Sequence, residues 1–379
     1  MKSIAQNFKN CSRLAGMVLS ASLALTAFSA RPVAACPACM QMSMTLADEL
    51  ETSQGAVVAL PVDGSKTNYS IESVLRGDLR KGKILTAANA EQVSPKYILT
   101  TVTTPNRPFW TGKARSCTPE VVDFSKGVLQ LPNRFEKGAA KVRLDYFKNY
   151  LGHPNKLIAD SACAEFSVAS FKNVLNYSKS LGHDKIKQMV TKAQSEEQRA
   201  LYLVMLGAFA SSDDLSVIEP MVQAAFKPAN RPSLSALLFC YLQTKGKDAL
   251  PVIKKNFLVG TSDRKFAALE AMRLGVNENG RVGREHVLPV LRGLLTDKDV
   301  AGPVIQDLAL WADWDSLNQV AALTKLPKDQ RWIRISAARY LRTCPKPEAK
   351  ALLNGLQKTD PELLKFANTP FQKPRPVGE

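Results

Sequence analysis

Five leucines place the strongest constraint on this chain. Leu206, Leu242, Leu274, Leu308 and Leu341 follow one another at separations of 36, 32, 34 and 33 residues. The same surroundings return at each. Six positions earlier stand Ala200, Ala236, Ala268, Gly302 and Ile335, mostly small, and three earlier stand Leu203, Phe239, Ala271, Ile305 and Ala338, all apolar. Positions three apart fall on one helical face, and small residues on that face let two helices approach closely. A second apolar-periodic stretch follows each anchor, at residues 215–226, 249–258, 286–295, 317–326 and 348–356. Three of these carry a proline (Pro220, Pro251 and Pro289), expected in a first helical turn, where a missing N–H leaves no bond unmade. A single helix pair cannot bury its apolar face alone. The pattern therefore predicts a stack of pairs sharing one elongated core.

The helical period begins near Arg143. Leu144, Phe147 and Leu151 form one face, Gly152 stops the helix, and shorter helices follow before the repeat proper. The strings from Arg199-Ala200-Leu201 to Leu206-Gly207, from Lys265 to Gly275 and from Arg334 to Leu341 resemble HEAT-type repeats over about residues 185–357. That resemblance implies an α-solenoid whose concave, basic face binds a partner. An unrelated α-helical bundle is the alternative architecture.

The residues before 143 follow a different rule. A short helical stretch, Thr45 to Glu51, gives way to Ala56-Val57-Val58-Ala59-Leu60, ended by Pro61 and Asp63-Gly64. The alternating Tyr69–Val74, then Gly82–Leu85 and Lys96–Val102, continue a series of short strands with Gly and Pro between them. Such spacing suggests a closed or nearly closed antiparallel barrel. The C-x-x-C, the short helix, Gly55–Leu60 and Tyr69–Gly77 resemble the start of a netrin-like, OB-type module, over about residues 36–104. The resemblance implies a barrel whose leading cysteines are bridged to later ones, Cys117 among them. The expected fold is thus a small antiparallel β-barrel at 36–142, an α-solenoid of HEAT-like helix pairs at 143–368, and a Pro-rich tail at 369–379.

The first residues bear on the compartment. Lys2, Lys9 and Arg13 precede an uncharged apolar run from Leu14 to Ala30, and Val33 and Ala35 stand at −3 and −1 before Cys36. This is the pattern of a secretory signal peptide at 1–35, and it predicts a periplasmic, cell-envelope or secreted protein. Val33-Ala34-Ala35-Cys36 is also similar to a bacterial lipobox, which makes Cys36 a lipidation site and that acyl chain the expected route to a membrane. Cys36-Pro37-Ala38-Cys39 admits two further readings. As a redox pair, Cys36 and Cys39 would make the chain a thiol–disulfide oxidoreductase, although no strand precedes the motif. As half-cystines they would pin the N-terminus to the sheet, with Cys117 as a partner, and this structural reading is favoured. Cys240 and Cys344 lie in apolar helical sequence and are expected as buried free thiols.

Charge narrows the partners. The chain carries +17, and loss of residues 1–35 removes four bases and no acid, leaving +13. Residues 36–142 hold 13 Lys+Arg against 10 Asp+Glu, so most of the excess lies in the helical part. Outside the cytosol this favours a protein partner or an acidic envelope component. No recognition motif points to nucleic acid. Only three histidines occur, His153, His183 and His286, and no G-x-S-x-G, H-E-x-x-H or phosphate-cradling loop is present. Catalytic residues, a metal and a cofactor are therefore not expected. Asp297, Asp299, Asp313 and Asp315 fall at repeat turns, where Asp caps helices. Trp311 and Trp314, with Trp332 in the next unit, are candidates for an aromatic binding surface.

Overall fold

The computed structural model describes residues 43–371, apart from 64, 66, 88–93, 105–106, 110–113, 210, 228–231, 278–279 and 370. The stretch 1–35 expected to be a signal peptide, Cys36, Cys39 and the tail from 372 onward lie outside the described residues.

Helix α1 (Leu46–Thr52) opens with a reciprocal cap: the Thr45 hydroxyl accepts from the Asp48 N–H, and Asp48 accepts from the Thr45 N–H at 3.0 Å. Six antiparallel strands follow: β1 (Gly55–Pro61), β2 (Asn68–Arg76), β3 (Ile84–Thr86), β4 (Tyr97–Thr104), β5 (Arg107–Phe109) and β6 (Arg115–Ser116). Their order is β3-β2-β1-β4-β5, with β6 also on β4. The sheet is open, which corrects the expected barrel. The reason lies in β1, whose residues Gly55 to Ala59 are all buried. Ala56, Val58 and Ile98 face the helical core, whereas Val57, Ala59, Tyr69, Ile71, Tyr97 and Leu99 form a separate cluster on the other face. A barrel strand buries one face; a continuous apolar run marks a strand covered on both. The outer strands, β3 and β5, have only three residues each. At the end of β2, Gly77 has φ near +90°, and a Cβ there would stand 2.8 Å from the Gln54 carbonyl oxygen. Glycine is required at that turn.

Helices α2 (Pro119–Leu129), α3 (Ala139–Phe147), α4 (Lys156–Ser167), α5 (Phe171–Leu181) and α6 (His183–Lys192) lead into five pairs. These are α7 (Glu196–Gly207) with α8 (Leu215–Ala224), α9 (Leu234–Lys245) with α10 (Leu250–Phe257), α11 (Ser262–Asn277) with α12 (Arg284–Arg292), α13 (Ala301–Leu310) with α14 (Leu317–Leu323), and α15 (Arg331–Thr343) with α16 (Pro347–Thr359). All five anchor leucines lie on the first helix of a pair and are buried, as are the apolar residues three positions before them. First helices pack on first helices at three of the four junctions: α7 on α9, α9 on α11, α13 on α15. Charge follows the same period. Lys265 reaches Asp299 at 2.9 Å, and the Arg273 Nε meets both Asp307 oxygens at 2.9 and 3.0 Å, each pairing 34 residues apart.

Two prolines differ from expectation. Pro251 is in a first turn, but Pro220 and Pro289 are inside α8 and α12. Both helices begin earlier than the proline signal suggested. Both prolines are exposed, so the backbone carbonyls they leave unbonded can meet water. A last helix, α17 (Pro361–Phe366), covers α15 through Leu363, Leu364 and Ala367 against Ile335 and Ala338. It closes an apolar face that a further pair would otherwise occupy. One hydrophobic cluster runs from Leu46 through the sheet residues Ala56, Val58 and Ile98 to Ala349.

Candidate interaction surface

The cysteines do not supply a reactive centre among the described residues. Cys117, expected in a disulfide, is a free buried thiol whose burial pushes its pKa up to about 11. It sits at the end of β6 beside Thr118, and its partners in that expectation, Cys36 and Cys39, lie outside the described residues. Cys240 and Cys344 are buried free thiols, as expected, and so is Cys163, whose thiol donates to the Tyr202 hydroxyl at 3.3 Å. Burial raises Cys163 and Cys240 to about 12. Being buried, all four should resist Ellman's reagent in the native protein and react within seconds once unfolded in guanidinium. Rapid native labelling of Cys117 would contradict the burial.

The tryptophans divide. Trp311 is buried, and Trp314 is half-buried with its ring edge-to-face on Tyr340 at 5.3 Å. They are packing residues between α13 and α15, not the open aromatic surface expected of them. Trp332 is 78% exposed. The turn aspartates are also structural. Asp297 and Asp299 hold Lys265, while Asp313 takes Arg292 and the Ser316 hydroxyl. No group of His, Cys, Asp and Glu among the described residues is arranged for a metal.

His183 acquires a partner that its sequence neighbourhood does not reveal. It opens α6, and its Nε2 lies 2.8 and 3.0 Å from the oxygens of Asp214, 31 residues later. Asp214 is buried and also takes Lys187 at 3.0 Å. The hydrogen bond to Asp214 raises the imidazole pKa. This clamp fixes α6 against the turn before α8.

Around that fixed helix the surface is strongly basic. Residues 171–194 contain Lys172, Lys179, Lys185, Lys187 and Lys192 against a single acid, Asp184. Lys185 and Lys192 are two helical turns apart, hence on one face of α6. With Gln188 and Met189 they line one side of a hollow of about 200 Å³, closed by Leu151-Gly152, Gln194, Gln198 and Tyr202. The far wall is tied down. The Tyr202 hydroxyl accepts from the Gly152 N–H at 3.0 Å, and Gln198 donates to Asp160 at 2.8 Å while accepting from the Gln194 N–H at 3.0 Å. No carboxylate lines this hollow. Its chemistry is that of a seat for an anionic group, two ammonium groups over a rigid amide-and-hydroxyl floor. A larger hollow of about 460 Å³ among α6, α7, α8 and α9 has polar and apolar lining in near-equal measure, and its charges, Glu196 and Arg199, pair with each other. The lysine density of 172–192 was visible in the sequence; the floor, drawn from residues 151–202, was not. Comparison with protein-family models, curated proteins and solved structures finds no match.

Proposed function

We propose that the chain is an exported scaffold protein that binds an acidic protein partner through a HEAT-like solenoid of helix pairs. The observation that carries this reading is the lysine-rich surface of α5 and α6, with its carboxylate-free hollow, ahead of the packed first helices α7, α9 and α11. Stacked pairs offer long surfaces rather than deep pockets, and recognition on such a surface is governed by charge complementarity. Export follows from the signal pattern at 1–35. The partner's carboxylates would sit between Lys185 and Lys192.

Titration calorimetry with poly-L-glutamate tests the site directly. Binding should weaken as salt rises, because exposed charge pairs are screened. Lys185→Glu with Lys192→Glu should lower the affinity at least about tenfold while leaving the thermal midpoint unchanged. Equal affinity in the variant would refute the assignment of the surface.

A further inference from the structure

The N-terminal end of the described chain carries a second surface, of different chemistry. Arg134, in the connection between α2 and α3, reaches Asp48 at 2.9 Å and Glu51 at 3.2 Å, both on α1. Asp48 in turn holds the Thr45 N–H. The Arg134 guanidinium is thereby held against α1, whose cap residue Thr45 follows Met44 in the chain. The turn is braced further: the Asn133 side chain accepts from the Phe135 N–H at 3.0 Å, and Glu136 accepts from the Asn133 N–H at 3.3 Å. Despite this bracing the Phe135 ring is 83% exposed, the most exposed of the large apolar side chains described. Met44 is 63% exposed and Val142, on α3, 51%.

A phenyl ring held in water forgoes the free energy of burial, which an apolar layer receiving it would restore. These tips border neither hollow, so they offer prominences and not a cleft. Cations follow Phe135 closely in the chain. Lys137 is exposed, and Lys141 and Lys148 share one carboxylate, Asp145, at 2.6 and 3.0 Å. Those two lysines hold Asp145 at a pKa of about 2, so this trio keeps a net positive charge. Glu136 is the one opposing acid between 134 and 142.

We propose that this surface docks on an anionic lipid bilayer, with Phe135 and Met44 entering the headgroup boundary and Lys137 and Lys141 meeting lipid phosphates. Isolated apolar tips with lysines close by in the chain suit a layer that deforms around them, whereas a protein partner would need a matching pocket for each. The inference is independent of the α6 surface and of any acyl chain on Cys36.

Vesicle co-sedimentation of the full chain tests it, using phosphatidylglycerol–phosphatidylethanolamine vesicles and phosphatidylcholine vesicles in parallel. The segment before residue 36 is common to every variant and cancels. Phe135→Ser with Met44→Ser should reduce partitioning onto the anionic vesicles about tenfold, and Lys137→Glu should reduce it several-fold. Trp332→Ser, at an equally exposed aromatic elsewhere, should leave it unchanged. Phe135→Trp should show fluorescence quenched by brominated lipid. Undiminished partitioning of the Ser/Ser variant, an equal loss in Trp332→Ser, or no preference for anionic vesicles would each overturn the proposal. Failure of the wild type to sediment with either vesicle would do the same, and would leave the patch to a protein partner.

Discussion

Replacing Arg143 by methionine is expected to destabilise the protein by about 3–5 kcal/mol, read as a shift of the urea midpoint. Arg143 is 1% exposed, yet it carries a full charge into the junction of α1, α3 and α4. Its Nε and Nη2 form two parallel bonds of 2.6 Å to Glu165, its Nη1 donates to the Pro132 carbonyl at 3.0 Å, and it also pairs with Glu51. Arg134 adds a second cation to Glu51 and Glu165. Methionine matches the aliphatic stem but abandons two buried carboxylates to one guanidinium, and desolvation of unpaired charge is the dominant cost. The pH dependence follows from the sign. Burial already raises the Glu51 pKa against the pull of both arginines. Without Arg143 the folded-state value of Glu51 rises further above its unfolded value. A raised carboxyl costs stability above the unfolded pKa, and that cost disappears as pH falls below it. The gap between wild type and variant should therefore be widest near neutrality and narrow towards pH 4. A constant gap, or one within the range of a surface substitution, would mean the cluster does not couple α1 to the helices.

What could be read from the chain depended on how local each cause was. The anchor leucines were legible because burial on a repeated helical face is imprinted every turn and every pair. The strands were legible for the same reason. Closure of the sheet was not, since it depends on whether helices cover one face or both. The clue was the unbroken Ala56-Val57-Val58-Ala59, which reads as a doubly covered strand once α1 and the helical core are known to lie against it. Trp311, Trp314 and Trp332 looked alike in sequence, and only packing on Tyr340 and the core separated them. The basic surface was half legible: its lysines all fall between 172 and 192, on α5 and α6, but its floor joins residues up to 51 positions apart. His183 and Asp214 illustrate the limit, for neither position announces the other across 31 residues.

Leu308→Ala is expected to cost about 2–5 kcal/mol, because Leu308 is fully buried on α13 and its removal leaves a cavity between packed helices. The form of the unfolding curve carries more information than its midpoint. In a stack of pairs each element leans on its neighbours, so a weakened pair can release the end of the array before the rest. Three of the four tryptophans, Trp311, Trp314 and Trp332, lie just after α13 or on α15, so indole fluorescence reports mainly on the last two pairs. Far-UV circular dichroism reports on every helix. In the variant the fluorescence transition should move to lower urea than the dichroism transition, which should broaden. The wild type should show the two closer together. A single helical cluster would behave otherwise: with all helices sharing one cooperative core, the two probes would shift together and remain superimposed. Superposition in Leu308→Ala would thus argue against a solenoid even though each anchor leucine is buried as the repeat requires.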